Sequence, residues 1–154
     1  MQLNMPEPIH RTTCRVRYGD TDAAGVVYNA NYLRYFEIGR TELMREWVCS
    51  YREIEKLGIV LPVTECFCRF KVPGRYDDLL TVETSIALLK NVSCRFHYRI
   101  TRQDPDLDHP RMLAKGYTIH ASVNREGKLS KFPIEILKKL EDLCKGKEDQ
   151  NNQN

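Results

Sequence analysis

Along residues 11–18, RTTCRVRY, small and β-branched apolar positions alternate with arginine, the period of a strand with one buried face. The pattern then changes. Tyr32, Leu33, Phe36, Leu43, Met44 and Trp47 recur at helical spacing with Arg34, Glu37, Arg45 and Glu46 among them, which predicts a long helix from Ala30 to Trp47 with one broad buried face. Gly39 falls inside it, where glycine costs about 1 kcal/mol against alanine, so the helix is expected to pass close to another backbone there. A shorter helix is expected over Ser50–Leu57, closed by Gly58 in the left-handed conformation. Four strand-like runs follow, IVLPVTECFCRFKV, LLTVETSIALLK, VSCRFHYRITRQ and RMLAKGYTIHASVN, separated by PGRYDD, KN and DPDLDHP. The step at Lys90 and Asn91 suits a hairpin. Pro133 opens a last amphipathic helix over Ile134–Cys144, and the polar KGKEDQNNQN after it is expected to be disordered.

One strand, a long helix and four long antiparallel strands make an α+β pattern, in which a sheet of about five strands wraps around the buried helix. Such a sheet has unpaired edges, and an exposed edge invites a second copy of the chain. With 154 residues the chain is expected to be a single domain, ordered over about residues 10–144.

Composition narrows the classes further. Lys and Arg total 24 against 21 Asp and Glu, a net charge of +3 that is too mild to argue for nucleic acid and enough for a small anionic ligand. Cys14, Cys49, Cys66, Cys68, Cys94 and Cys144 lack the paired spacing of a structural zinc site and read as reduced thiols. Cys66 and Cys68 have strand spacing, which points both to one sheet face as small buried hydrophobes. The N-terminal MQLNMPEPIHRTT has no apolar core of a signal peptide, and no apolar run is long enough to span a membrane, so the cytoplasm is the expected compartment.

The chemistry concentrates in residues 18–42, YGDTDAAGVVYNANYLRYFEIGRTE, where two acids flank one threonine ahead of the long helix. Asp20 and Asp22 can hold a turn, because short acidic side chains bond their own backbone. The alternative is that one of them is a catalytic carboxylate aimed at a substrate over the helix. A metal between them is disfavoured, since hard divalent ions want more oxygen ligands than this loop offers. A turn-stabilising role suits Asp20.

YGDTDAAGVVYNANYLRYFEIGRTELMR together with CRFKVPGRYDDLLTVET closely resembles the hotdog-fold acyl-CoA thioesterases of the 4-hydroxybenzoyl-CoA thioesterase type, including those encoded beside the Tol-Pal system. The resemblance covers about residues 10–140. It implies a homodimer or homotetramer, an active site between subunits, no cofactor, an acyl-CoA substrate and Asp22 as the catalytic acid. The backbone N–H of Asn29 matches the donor that polarises the thioester carbonyl. Several relatives carry histidine at Asn29, a change that leaves the main-chain donor in place. Lys90 matches a basic CoA-contacting position, with Ser93 just beyond it and Arg95 and Arg75 as further candidates.

The chemistry is coherent without the likeness. A thioester carbonyl becomes an oxyanion during hydrolysis, and a helix N-terminus at Asn29 to Tyr32 offers unpaired N–H groups and the positive end of the dipole to that charge. Asp22 can then attack the carbonyl or deprotonate water, two roles the sequence leaves open. An apolar acyl pocket beside it is expected to raise its pKa. Tyr28, Tyr32 and Phe36 line an acyl pocket or belong to the core. Glu37, two turns into the helix, is expected at the pocket side or as a structural group. His10, His97, His109 and His120 lack the surroundings a hotdog dehydratase needs. An acyl carrier protein can replace CoA, and a non-catalytic acyl-CoA sensor or scaffold is the alternative of a different class.

Overall fold

The computed structural model describes residues 2–145, so the tail expected to be disordered lies, from residue 146 on, outside the described residues. Strands β1 (His10–Arg15), β3 (Val63–Phe70), β4 (Leu79–Lys90), β5 (Ser93–Arg102) and β6 (Arg111–Ala121) form one antiparallel sheet in the order β1-β4-β5-β6-β3. Two short strands, β2 (Ile59–Val60) and β7 (Val123–Asn124), pair separately. The first and last of the four strand-like runs are therefore each broken in two. Pro62 and Ser122 stand at the breaks, and proline has no N–H for a ladder.

Helix α1 (Asn31–Trp47) lies across the inner face of this sheet. Its apolar stripe buries Tyr32, Tyr35, Phe36, Leu43 and Met44, while Leu33 stays 39% exposed and drops out of the expected core. Phe36 stacks on Tyr98 of β5 with ring centroids 4.3 Å apart. A Cβ on Gly116 of β6 would meet that ring at 2.9 Å and the Phe67 carbonyl at 2.0 Å, so only glycine fits beneath it. Gly39 answers to a different neighbour from the one expected. Its Cβ would fall 2.4 Å from Thr84 Oγ1 and 2.6 Å from Val82 Cγ1, so the close approach is to β-branched side chains of β4 rather than to another backbone.

Helix α2 (Tyr51–Lys56) starts at Ser50, whose Oγ accepts the Glu53 N–H at 3.3 Å, and gives way to Gly58 at φ +86°. Helix α3 (Ile134–Lys145) buries Ile136 and Leu140, and its Lys139 Nζ donates to the Val48 carbonyl at the end of α1. The hairpin between β4 and β5 turns on Asn91 and Val92, one residue later than expected. Cys14, Cys49, Cys66, Cys68 and Cys94 are free thiols. Cys68 is half-buried, and burial pushes its thiol up to about 12, but Cys66 is exposed. The expected burial fails at Cys66 because β3 is an edge strand, with no strand beyond it among the described residues.

Candidate active site

Two carboxylates in one short loop have opposite environments. After β1 the chain passes Val16, whose N–H donates to the Asp78 carbonyl, and turns through a single 3-10 turn at Tyr18–Asp20. Asp20 is 5% exposed, and both of its carboxylate oxygens are engaged. Its Oδ2 accepts from the Arg17 N–H at 2.9 Å and the Tyr35 hydroxyl at 3.2 Å, and its Oδ1 accepts from Arg34 at 3.2 Å. Its backbone carbonyl accepts from the Tyr28 N–H at 2.9 Å and Asn31 Nδ2 at 2.8 Å. Burial alone would push this carboxyl up, but the Arg17 N–H, Tyr35 and Arg34 together hold it below the usual carboxylate range. Asp20 is thus a turn and helix anchor, as its sequence context suggests.

Asp22 is exposed. Its N–H donates to the Val26 carbonyl at 2.9 Å, Gly25 donates back to its carbonyl at 3.0 Å, and Gly25 takes φ +80° to close the turn. The Oδ1 atom accepts from the Ala24 N–H at 2.9 Å and, more weakly, from the Val26 N–H at 3.4 Å. Among the described residues no donor reaches Oδ2, so one oxygen is oriented by the backbone and the other is free to react. Beyond the turn, Val27 donates to the Gly74 carbonyl at 2.8 Å and Val26 bridges to Arg75, which fastens the loop to the PGRYDD segment.

The helix that follows begins bare. Ala30 is its N-cap with no side-chain cap, and no acid stands in the first turn. The Asn31 and Tyr32 N–H groups are taken by the Tyr28 and Asn29 carbonyls, whereas no acceptor among the described residues takes the N–H of Asn29 or Ala30. Two open donors at the positive end of a 17-residue helix, a few residues from an exposed carboxylate, suit a developing oxyanion.

The other expected site residues divide. Tyr28 is 52% exposed beside the helix start. Tyr32 is 3% exposed, its hydroxyl accepts the Gly74 N–H at 3.1 Å and its ring meets Tyr35 and Phe70 edge-on. Burial pushes its hydroxyl up, and with Phe36 it belongs to the core rather than to an open pocket. Glu37 is exposed at a hollow of about 540 Å³ that Arg40, Tyr51, Glu55 and Leu61 also line. Arg75 is beside the Asp22 loop, but Lys90, Ser93 and Arg95 are not. Arg15, which leads into the loop, pairs with Leu79 at one end of β4, and Lys90 pairs with Ser93 at the other. The 12 residues of β4 put these ends roughly 35 Å apart at about 3.3 Å per residue. Arg95 lies on the outer face, 3.8 Å over the ring of Tyr117.

Sequence reasoning passed over Asn31, Arg34 and Tyr35 as anchors of the loop. Their signal was their spacing, since positions i, i+3 and i+4 share one helix face. The histidines are structural or superficial: His10 pairs with Glu46, His97 meets the Asn4 carbonyl, His109 pairs with Asp108 and His120 is wholly buried. Among the described residues no group of three His, Cys, Asp or Glu side chains is arranged to hold a metal, and no helix is long and apolar enough to cross a membrane.

The family model of the thioesterase-like superfamily matches residues 16–140. The acyl-CoA thioesterase YbgC of Haemophilus influenzae is 38% identical over 125 residues, covering 79% of this chain and 87% of its own length. A putative esterase of Aquifex aeolicus is 32% identical over 128 residues, covering 83% of this chain and 94% of its own. The crystal structure of a hypothetical protein from Thermus thermophilus superposes with a TM-score of 0.80 at 29% identity, over 88% of this chain and 97% of that one. The sheet wrapped on α1 is the hotdog fold of thioesterases. The chain belongs to the thioesterase-like superfamily, and it is a thioester hydrolase.

Proposed function

We propose that the protein hydrolyses an acyl-CoA thioester to CoA and a carboxylic acid, with Asp22 as nucleophile or general base and the Asn29 N–H as oxyanion donor. The observation that carries this reading is the exposed, backbone-oriented Asp22 carboxylate next to a helix start whose N–H groups have no acceptor among the described residues. The CoA moiety comes from relatives named acyl-CoA thioesterases. In one route Asp22 Oδ2 bonds the acyl carbon, the C–S bond breaks, the CoA thiolate leaves and takes up a proton, and water then cleaves the mixed anhydride. In the other Asp22 takes the proton of an attacking water and returns it to the departing thiolate. Tyr28 is exposed where it can touch the acyl group, with Glu37 further along α1.

The site is proposed to need two chains. Of the two sheet edges, β1 carries exposed charges of one sign, Arg11 and Arg15, which repel a second copy, whereas β3 carries charges of both signs, Glu65 and Arg69, and leaves Val63 and Phe70 47% and 53% exposed. An antiparallel β3–β3 pairing about a twofold axis reverses the second sheet, bringing the partner's hairpin end, with its Lys90 and Ser93, to the side where Asp22 stands. Those groups then suit the CoA phosphates. A homodimer is the minimum, and a homotetramer satisfies the same argument.

The test is thiol-trapped CoA release from aliphatic and aromatic acyl-CoAs and from acyl carrier protein, with wild type beside Asp22→Asn. Wild type is expected to turn over a substrate and Asp22→Asn to lose at least about a hundredfold in kcat, the scale of a lost acid–base group. Binding of acyl-CoA without turnover would support a sensor or scaffold instead.

A further inference from the structure

The loop that presents Asp22 is tied to the long helix by one buried residue, Asp20. Asp20 is 5% exposed, and the five hydrogen bonds its oxygens accept come from three separate pieces of the site. Its carboxylate takes the Arg17 N–H at the entry of the loop and both Arg34 and Tyr35 from the first two turns of α1. Its carbonyl takes the Tyr28 N–H at the exit of the loop and the Asn31 side chain at the first position of the helix. Asp22 hangs inside the ring closed between Asp20 and Tyr28, and Asn29 is the next residue after it. The Tyr35 hydroxyl is 2% exposed as a residue, and burial followed by the charge of Asp20 pushes it up, so it stays a donor.

We infer that Asp20 is a positioning residue for thioester hydrolysis, clamping the Asp22 loop to α1 and so setting the separation between the reacting carboxylate and the Asn29 N–H. This rests on the proposed roles of Asp22 and Asn29, which the experiment keeps separable. The carboxylate form is required by a count of donors. Three N–H and O–H groups converge on the two side-chain oxygens, and an asparagine has a single acceptor oxygen, so in Asp20→Asn at least one donor faces an NH2 group. Whichever way the amide sits, the clamp loses at least one bond to α1, from Arg34 or from Tyr35, and oxyanion donors tolerate little displacement because their effect is realised in the transition state.

The experiment compares Asp20→Asn, Tyr35→Phe, the double variant and Leu140→Ala, a core truncation in α3 that lowers stability away from the loop. In Asp20→Asn, kcat is expected to fall about tenfold or more with KM within about threefold, the pattern of an interaction made in the transition state. Tyr35→Phe lowers kcat less, and the double variant loses no more than Asp20→Asn, because both remove the same clamp. Leu140→Ala lowers Tm and leaves kcat unchanged. Amide hydrogen exchange supplies a readout without turnover: the Tyr28 and Val27 amides should exchange faster in Asp20→Asn but not in Leu140→Ala. Wild-type exchange rates at those amides in Asp20→Asn, or a kcat loss no larger than that of Leu140→Ala, overturn the inference. If wild type hydrolyses no acyl-CoA, the proposed function fails, and the exchange data still decide whether Asp20 is the clamp.

Discussion

Lowering the pH from 7 to 5 should destabilise this protein through one buried imidazole. His120 of β6 is fully buried, and burial first of all, then the neighbouring charge of Arg40, drops its pKa from 6.5 to about 4 despite the pull of the Leu61 carbonyl the other way. The ring is held from both sides. Its Nδ1 lies 2.9 Å from the Leu61 carbonyl and must donate to it, so Nε2, 2.8 Å from Thr118 Oγ1, accepts. Tyr98, whose own hydroxyl burial pushes up to about 12, donates in turn to Thr118 at 2.6 Å. A second proton on Nε2 would force this chain to reverse and would put a buried charge beside a guanidinium. The unfolded chain takes that proton as the pH falls below 6.5 and the native fold refuses it until about 4. Stability from this group is therefore complete above 6.5 and lost on the way down to about 4. At about 1.4 kcal/mol per pH unit the loss is about 2 kcal/mol by pH 5 and about 3 kcal/mol by pH 4. Asp20 and Asp104, whose carboxyls are held below the usual range, lose their contribution only at lower pH, below this window. Urea unfolding of wild type beside His120→Gln at pH 7, 6 and 5 isolates His120, because the other three histidines contribute to both proteins alike. The variant should be less stable at pH 7 and show a pH slope flatter by about 1 kcal/mol per unit. Parallel slopes would refute the reasoning.

Two further perturbations probe packing and substrate binding. Gly39→Ala improves intrinsic helix propensity by about 1 kcal/mol, yet its Cβ would fall inside Thr84 and Val82, so thermal unfolding should show a net loss of about 1–3 kcal/mol. If Lys90 meets the CoA phosphates as proposed, Lys90→Glu should raise KM for acyl-CoA about tenfold at low salt and change kcat little, with the gap shrinking as salt is added, because such a contact, far from the reacting atoms, would act on binding alone.

The helices and strands were legible in the chain because their periods are strong, as in the alternation of Cys94, Phe96, Tyr98 and Ile100 with Arg95, His97 and Arg99 on β5. The breaks were harder. Pro62 lies between β2 and β3 in a continuous apolar run, and only the missing N–H marks it. Cys66 was misjudged because burial depends on strand order, and a sequence does not say which strand becomes an edge. Tyr32 shows the limit at the site itself: a tyrosine in the first turn of α1 has the same sequence context whether its hydroxyl meets a substrate or the Gly74 N–H, some 42 residues away. Asp20 and Asp22 were separable only in part, since both are acids in a turn, and it is the convergence of Arg17, Arg34 and Tyr35 that buries one and leaves the other exposed. The distance between Lys90 and Asp22 was invisible in sequence and follows from their positions at opposite ends of the sheet.

That distance makes the decisive experiment a mixed dimer. Asp22→Asn and Lys90→Glu/Ser93→Asp chains are co-expressed with different tags, dimers carrying both are purified, and kcat/KM for the best acyl-CoA is measured beside both parents and wild type. If Asp22 of one chain works with the hairpin of its partner, each mixed dimer holds one intact site and should recover about half of the wild-type kcat/KM from parents that are each down about tenfold or more. Mixed dimers no more active than the parents would contradict a site shared between two chains.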